Sequence, residues 1–254
     1  MSEEFVNRVI KLGSQTSGRD KLYRTFQYGS KFLGWCLEQG SGDQDLIQKI
    51  KALERTLSTS RKLLRLGKSL DMLTGALKTI HLEDTFLQVT ITLSKLNQAL
   101  YLLIDHALWA HRIGIVKANN ERLTTLSSRF WLATLILNLS RDLYELMNVV
   151  NNAIDVYMKQ REHRHGDSPN GDLVRVETNL QFNENARQLD VLAFCLQSNK
   201  PIVLDLVKNA ADLFLPLSSL GYLAIPAGIQ GLCGLISSLV GLATVWDAKL
   251  KLQP

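Results

Sequence analysis

The chain has 254 residues, 46% of them hydrophobic and 21% charged, with 29 Lys and Arg against 24 Asp and Glu for a net charge of +5. That composition is ordinary for a globular chain able to bury one core or two small ones, and its mild basicity suits an anionic lipid surface as well as nucleic acid. Three widely separated cysteines, Cys36, Cys195 and Cys233, argue against a disulfide framework and for a reducing compartment.

The opening residues, MSEEFVNRVIKLGS, have no apolar run of the secretory kind, so no signal peptide is expected. Ser17 is placed to cap a helix from Gly18 to Gln39, with Asp20 at the capping-box position, and the sequence GSGD at 40–43 ends it. Asp43 is placed to cap the next helix, whose Leu46, Ile50, Leu53 and Leu57 keep helical spacing. A separate helix is expected over 60–81, SRKLLRLGKSLDMLTGALKTI, with Leu63, Leu66, Leu70, Leu73, Leu77 and Ile80 on one face. Arg61, Arg65 and Lys68 lie opposite, with Lys62 and Lys78 at the flanks and only Asp71 against them. Spacing alone leaves open whether the apolar stripe meets a core, a partner or a membrane.

Two longer helices follow, Glu83 to His111 and Glu121 to Met158, separated by Gly114 and Asn119–Asn120. Residues 159–187 mix charges with Gly, Pro and Asn and suit a polar linker. Helical spacing returns over 186–198, and Pro201 suits the first turn of a further helix. On that helix Asp205, Lys208 and Asp212 share one polar strip, so a crossing at 201–223 requires a partner or a wet interior.

From Leu213 to Trp246 no side chain is charged. Ile225 to Trp246 is long enough to cross ~30 Å of hydrocarbon at 1.5 Å per residue, with Pro226 at its start and Trp246 at an interface position. Ala227, Gly231, Gly234, Ser238 and Gly241 step by four and three along it. They form a seam on which another backbone approaches closely, from a copy of this helix or from a different one. The chain ends KLKLQP, which is not the Ser-Lys-Leu address. The expected class is an all-α helical membrane protein with amphipathic helices, a C-terminal transmembrane helix and a second membrane-embedded segment. Its regions are 1–158 (helical, with the amphipathic segment), 159–187 (linker) and 188–254 (membrane region).

Residues with the chemistry of catalysis do not assemble into a site. Gly67-Lys68-Ser69 has Lys62 where a phosphate loop needs its first glycine. His163 and His165 lie in a charged segment without further ligands, and Ser140-Arg141-Asp142 reads as a salt-bridged patch between helices. No enzyme, metal or cofactor is expected. The basic residues near 61–68 alternate with leucines and not with stacking aromatics, so nucleic acid is not expected either.

Five stretches in order, RKLLRLG at 61–67, LNQALYLLIDHALW at 96–109, LSRDLYE at 139–145, LDLVKNAADLFLPLSSLG at 204–221 and GIQGLCGLISS at 228–238, resemble the peroxin-eleven family. These are peroxisomal membrane proteins that elongate the organelle before division. Gln98 departs from the arginine usual there. The resemblance implies a peroxisomal membrane address with both termini cytosolic, self-association and no cofactor. It implies that the helix at 60–81 binds and bends membrane. It also implies a fission adaptor, a dynamin-like GTPase and a membrane-protein import receptor as partners. A channel for small metabolites, with the Asp205, Lys208, Asp212 strip facing water, and a structural adaptor that grips protein instead of lipid are the alternatives.

Overall fold

The computed structural model describes residues 3–40, 42–165 and 193–252, with the side chains of the sixth helix described as far as Val156. The described residues are helical: α1 (Glu3–Ser14), α2 (Thr16–Gln39), α3 (Gln44–Leu64), α4 (Lys68–Thr79), α5 (Thr85–Arg112), α6 (Asn120–His165), α7 (Lys200–Ser219) and α8 (Ala227–Trp246). A 3₁₀ turn (Ala248–Leu250) follows, and residues 193–198 are helical ahead of α7.

Local chemistry sets most of these bounds. Asp43 caps α3 by accepting from the Asp45 amide at 3.1 Å, and Asp84 caps α5 by accepting from the Leu87 amide at 3.0 Å. Ser17 does not cap α2. The helix starts two residues earlier than expected, at Thr16 behind Gln15, and the Asp20 carboxylate turns inward instead of closing a capping box. The expected single helix over 60–81 is divided. α3 runs through the Ser58-Thr59-Ser60 step without a break, and the chain turns at 65–67, where Gly67 takes φ +79, a value that favours glycine. Helix α6 extends to His165, seven residues into the expected linker, and the remainder of that linker, 166–187, lies outside the described residues.

Packing closes the helices into a ring. α2 lies against α3, α3 and α4 against α5, α5 against α6, α6 against α7, α7 against α8, and α8 against α2. α1 rests on α2 and the end of α8, where the Phe5 and Trp246 rings lie 5.7 Å apart. The ring is inverted relative to a water-soluble bundle. Polar side chains outnumber apolar ones among the buried residues, and large apolar side chains are exposed on α1 through α8. An apolar exterior this extensive belongs in contact with lipid or protein. By length and hydropathy, α8 is the one helix among the described residues fit to cross a membrane as a single helix. α7, the second expected crossing, carries Asp205, Lys208 and Asp212 on the side turned into the ring.

Candidate functional site

Polar residues at steps of three and four on successive helices build the interior. α2 supplies Asp20, Arg24 and Gln27; α3 supplies Arg61, Lys62 and Arg65; α5 supplies Ser94, Tyr101 and Asp105; α6 supplies Asn138, Arg141 and Asp142; α7 supplies Asp205, Asn209 and Asp212. Each set falls on one helix face, so ring closure brings all five to a common axis.

The carboxylates there are engaged with cations. The Asp20 carboxylate accepts from Arg61 Nε at 3.1 Å, while Arg61 Nη1 donates to Gln27 Oε1 at 2.8 Å. Asp105, 2% exposed, pairs with Lys62 and with Arg65 at 2.6 Å, and Arg65 Nη1 donates to the Tyr101 hydroxyl at 3.0 Å. Arg24 pairs with Asp212 across the α2–α7 gap. Arg141 bridges Asp142, at 2.6 Å, and Asp205, and Asn209 donates to Asp142 at 2.7 Å. The Ser140-Arg141-Asp142 stretch is therefore part of a salt-bridged patch between α6 and α7. Burying a charge is tolerable only with such partners. Outside this interior, the Leu87 amide, and after it the Tyr144 hydroxyl, hold the Asp84 carboxyl below the usual carboxylate range.

These groups surround a cavity of about 540 Å³. A second cavity of about 830 Å³ adjoins it beneath α1 and the end of α8, sharing Lys21, Lys68, Asn138, Arg141, Lys208 and Lys251 with the first. No group of three or more potential metal ligands occurs among the described residues. His163 and His165 lie outside the described side chains.

The expected lipid-facing segment divides by chemistry. Leu63, Leu66, Leu70, Leu73, Leu77 and Ile80 all point outward, with Leu70 and Leu77 65% and 64% exposed. The division of the helix at Gly67 does not disturb the stripe. Arg61, Lys62, Arg65 and Lys68 instead face the interior, three of them in ion pairs, and so do not flank the stripe as a headgroup-binding edge. The physical reason for Arg61, Lys62 and Arg65 is the carboxylates of α2 and α5, which attract them inward more strongly than solvated surface positions would hold them.

The small-residue seam of α8 also has a different neighbour from a second copy. α2 of the same chain is seated on it: Trp35 faces Gly228, Phe32 faces Gly231, Tyr28 faces Gly234 and Lys21 faces Gly241. A Cβ at Gly231 would stand 2.7 Å from the Phe32 amide nitrogen. Ser238 is buried on the same face, whereas Ala227 is exposed and Gly228 takes the place expected for it. Sequence reasoning found the seam but not α2 as its partner. It also found the α7 strip and missed its counterparts on α2, α3 and α5, whose signal was the spacing of Asp20, Arg24 and Gln27.

Over residues 6–246 the chain matches the family described as Peroxisomal biogenesis factor 11 (PEX11). It is similar to Peroxisomal membrane protein 11B of Homo sapiens, 35% identical over 260 residues that cover 96% of this chain and 98% of that protein. It is similar to Peroxisomal membrane protein 11A of Rattus norvegicus, 34% identical over 251 residues covering 98% and 99%. A Peroxisomal membrane protein 11 homolog of Dictyostelium discoideum is 26% identical over 245 residues covering 96% and 95%. No solved structure matches.

Proposed function

The chain belongs to the peroxisomal biogenesis factor 11 family of peroxisomal membrane proteins, and from that premise we propose that it elongates the peroxisome before division by sinking the outer stripe of α3 and α4 into the cytosolic leaflet. The observation that carries this reading is the stripe itself. Six large apolar side chains stay exposed on a segment whose other face is already occupied by ion pairs. Full burial of a leucine is worth about 1.5–3 kcal/mol, so six half-exposed ones offer roughly 6 kcal/mol on entering lipid. A helix held ~5–10 Å deep in one leaflet occupies area there alone, which favours positive curvature. Because Arg61, Lys62, Arg65 and Lys68 face inward and, of the basic residues over 60–80, only Lys78 is exposed, insertion depends on apolar burial more than on attraction to anionic phospholipid.

Self-association multiplies this curvature, and a fission adaptor with a dynamin-like GTPase completes division; an import receptor delivers the chain, with both termini cytosolic. These partners belong to the same reading. The test is imaging of tagged full-length protein in cells. Overexpression elongates peroxisomes, and Leu70→Glu with Leu77→Glu abolishes elongation while the protein still reaches the organelle. Unchanged elongation by that double variant would sink the proposal.

The closed ring supports a second reading, a conduit for small solutes through its polar interior. Under it, Asp212→Ala frees Arg24 and shifts ion selectivity in planar bilayers toward anions. A wild-type protein that carries no current would remove this reading and leave the first intact.

A further inference from the structure

We propose that the place where the two cavities meet binds a small multivalent anion of the phosphate type, held by Lys21, Lys68 and Lys251 with Arg141 and Lys208 beside them. The argument begins with charge. Lys and Arg side chains on the wall of the central cavity outnumber its carboxylates, which are Asp20, Asp105 and Asp212. Each of these is already matched to arginine or lysine, and Asp205 is shared between Arg141 and Lys208. Among the described residues Lys21, Lys68 and Lys251 take no part in the ion pairs of the interior carboxylates, yet all three border both cavities. Lys21 and Lys68 are half-buried and Lys251 is exposed at the mouth, so like charges converge there and their field draws anions in from the second cavity.

The supply of donors fits phosphate in particular. Lysine ammonium groups act as compact point charges toward phosphate, and the Arg141 guanidinium adds a planar set of donors. The Asn138 carbonyl accepts from Ser94, leaving an amide NH₂ on the same wall. The end of the Lys21 side chain, including Nζ, lies against Gly241 of α8, where an added Cβ would stand 3.2–3.3 Å from it. A cavity of about 540 Å³ lies within the range that takes a small ligand. The approach is basic too: Arg8 and Lys11 of α1 line the second cavity. The site does not require the ring to conduct or the stripe to bend lipid.

Phosphate chemistry reaches such a site from a soluble phosphate compound or from a lipid headgroup. Full-length protein in phosphatidylcholine nanodiscs, titrated with pyrophosphate by calorimetry, binds one equivalent, and Lys21→Gln with Lys68→Gln weakens binding about tenfold or more. Lys68→Arg alone keeps it. Lys49→Gln, at an exposed pair with Asp45 on α3, leaves it unchanged. Circular dichroism of each variant establishes that the ring is folded. If nanodiscs doped with phosphatidic acid displace pyrophosphate, the source is a headgroup; if they do not, it is a soluble anion. Absence of pyrophosphate binding, equal loss in Lys49→Gln, or undiminished binding by the folded double variant overturns the proposal.

Discussion

The α3–α4 segment and α8 both turn leucines outward, yet they are held to the ring by opposite chemistries. The inner face of α3 is charged and meets Asp20, Gln27 and Asp105 through side chains that reach across a polar space. The inner face of α8 is nearly bare, and α2 packs its aromatic side chains directly on the glycines. One contact therefore leaves a cavity and the other closes it. The contrast explains why the interior is open toward α3, α5 and α7 and sealed between α2 and α8. It also predicts different failures when each contact is changed.

The largest effect is expected at Asp105, which pairs with Lys62 and Arg65 at once. Asp105→Ala leaves two buried cations without their partner, a loss of roughly 3–5 kcal/mol. In detergent the variant should lose its cooperative melting transition, whereas Asp105→Glu should keep one at lower temperature. Equal melting of Asp105→Ala and wild type would show that α3 is not held by these pairs.

Next in size is Gly231→Val. The added atoms meet the Phe32 backbone, which has no rotamer to move, and overpacking of this kind costs about 1–3 kcal/mol. The expected readout is faster proteolysis at α2 with α3 still protected, the reverse of the Asp105 variant. If cross-linking instead finds Gly231 between two copies, the seam serves self-association and α2 must leave it.

These two sites also show how much was legible beforehand. Periodicity gave the helices and the outward stripe, because a run such as Leu63, Leu66, Leu70 has only one geometric meaning on a helix. The Asp205, Lys208, Asp212 strip announced a partner or a wet interior for the same reason, and the structure supplies charged partners from α2 and α6. Which side of 60–81 faces inward was not legible, since it depends on Asp20 and Asp105, distant in sequence and adjacent only after ring closure. The turn at Gly67 was hidden because a tightened turn, with amides at 65, 66 and 68 bonded three residues back, still left the leucines in phase. Likewise, glycine spacing on α8 established that something approaches closely but not that α2 does so. Four of the five stretches carrying the family resemblance turned out to supply the polar interior, from Arg61 and Asp105 to Arg141 and Asp212, and the fifth supplies the glycine seam of α8.

A smaller effect on stability, with a large one on function, is expected from Leu70→Glu combined with Leu77→Glu. Both side chains lie on the outer face and contribute little burial. In detergent the melting temperature should stay near wild type, since exposed substitutions remain within about 0.5 kcal/mol. Tubulation of liposomes carrying the full chain should fall sharply, and in the wild type it should depend only weakly on salt because Arg61, Lys62, Arg65 and Lys68 point inward. A steep fall of wild-type tubulation with salt would return these basic residues to the lipid surface.

The smallest effect is expected at the start of α5. Asp84 accepts from the Leu87 amide and from Tyr144 at 2.8 Å, which ties the α4–α5 turn to α6. Both donors favour the charged carboxylate, so its folded pKa lies below the unfolded value. The stability it contributes is present above the ordinary aspartate range and is lost as pH falls through the lowered folded value. Asp84→Ala should therefore lower the melting temperature modestly at neutral pH, and the difference from wild type should shrink as the solution is acidified below about pH 4. Asp84→Asn, which keeps the cap without the charge, should fall between the two. A gap between Asp84→Ala and wild type that widens on acidification would mean that Tyr144 and Leu87 stabilise the protonated form, and the turn would then be held in some way other than by its cap.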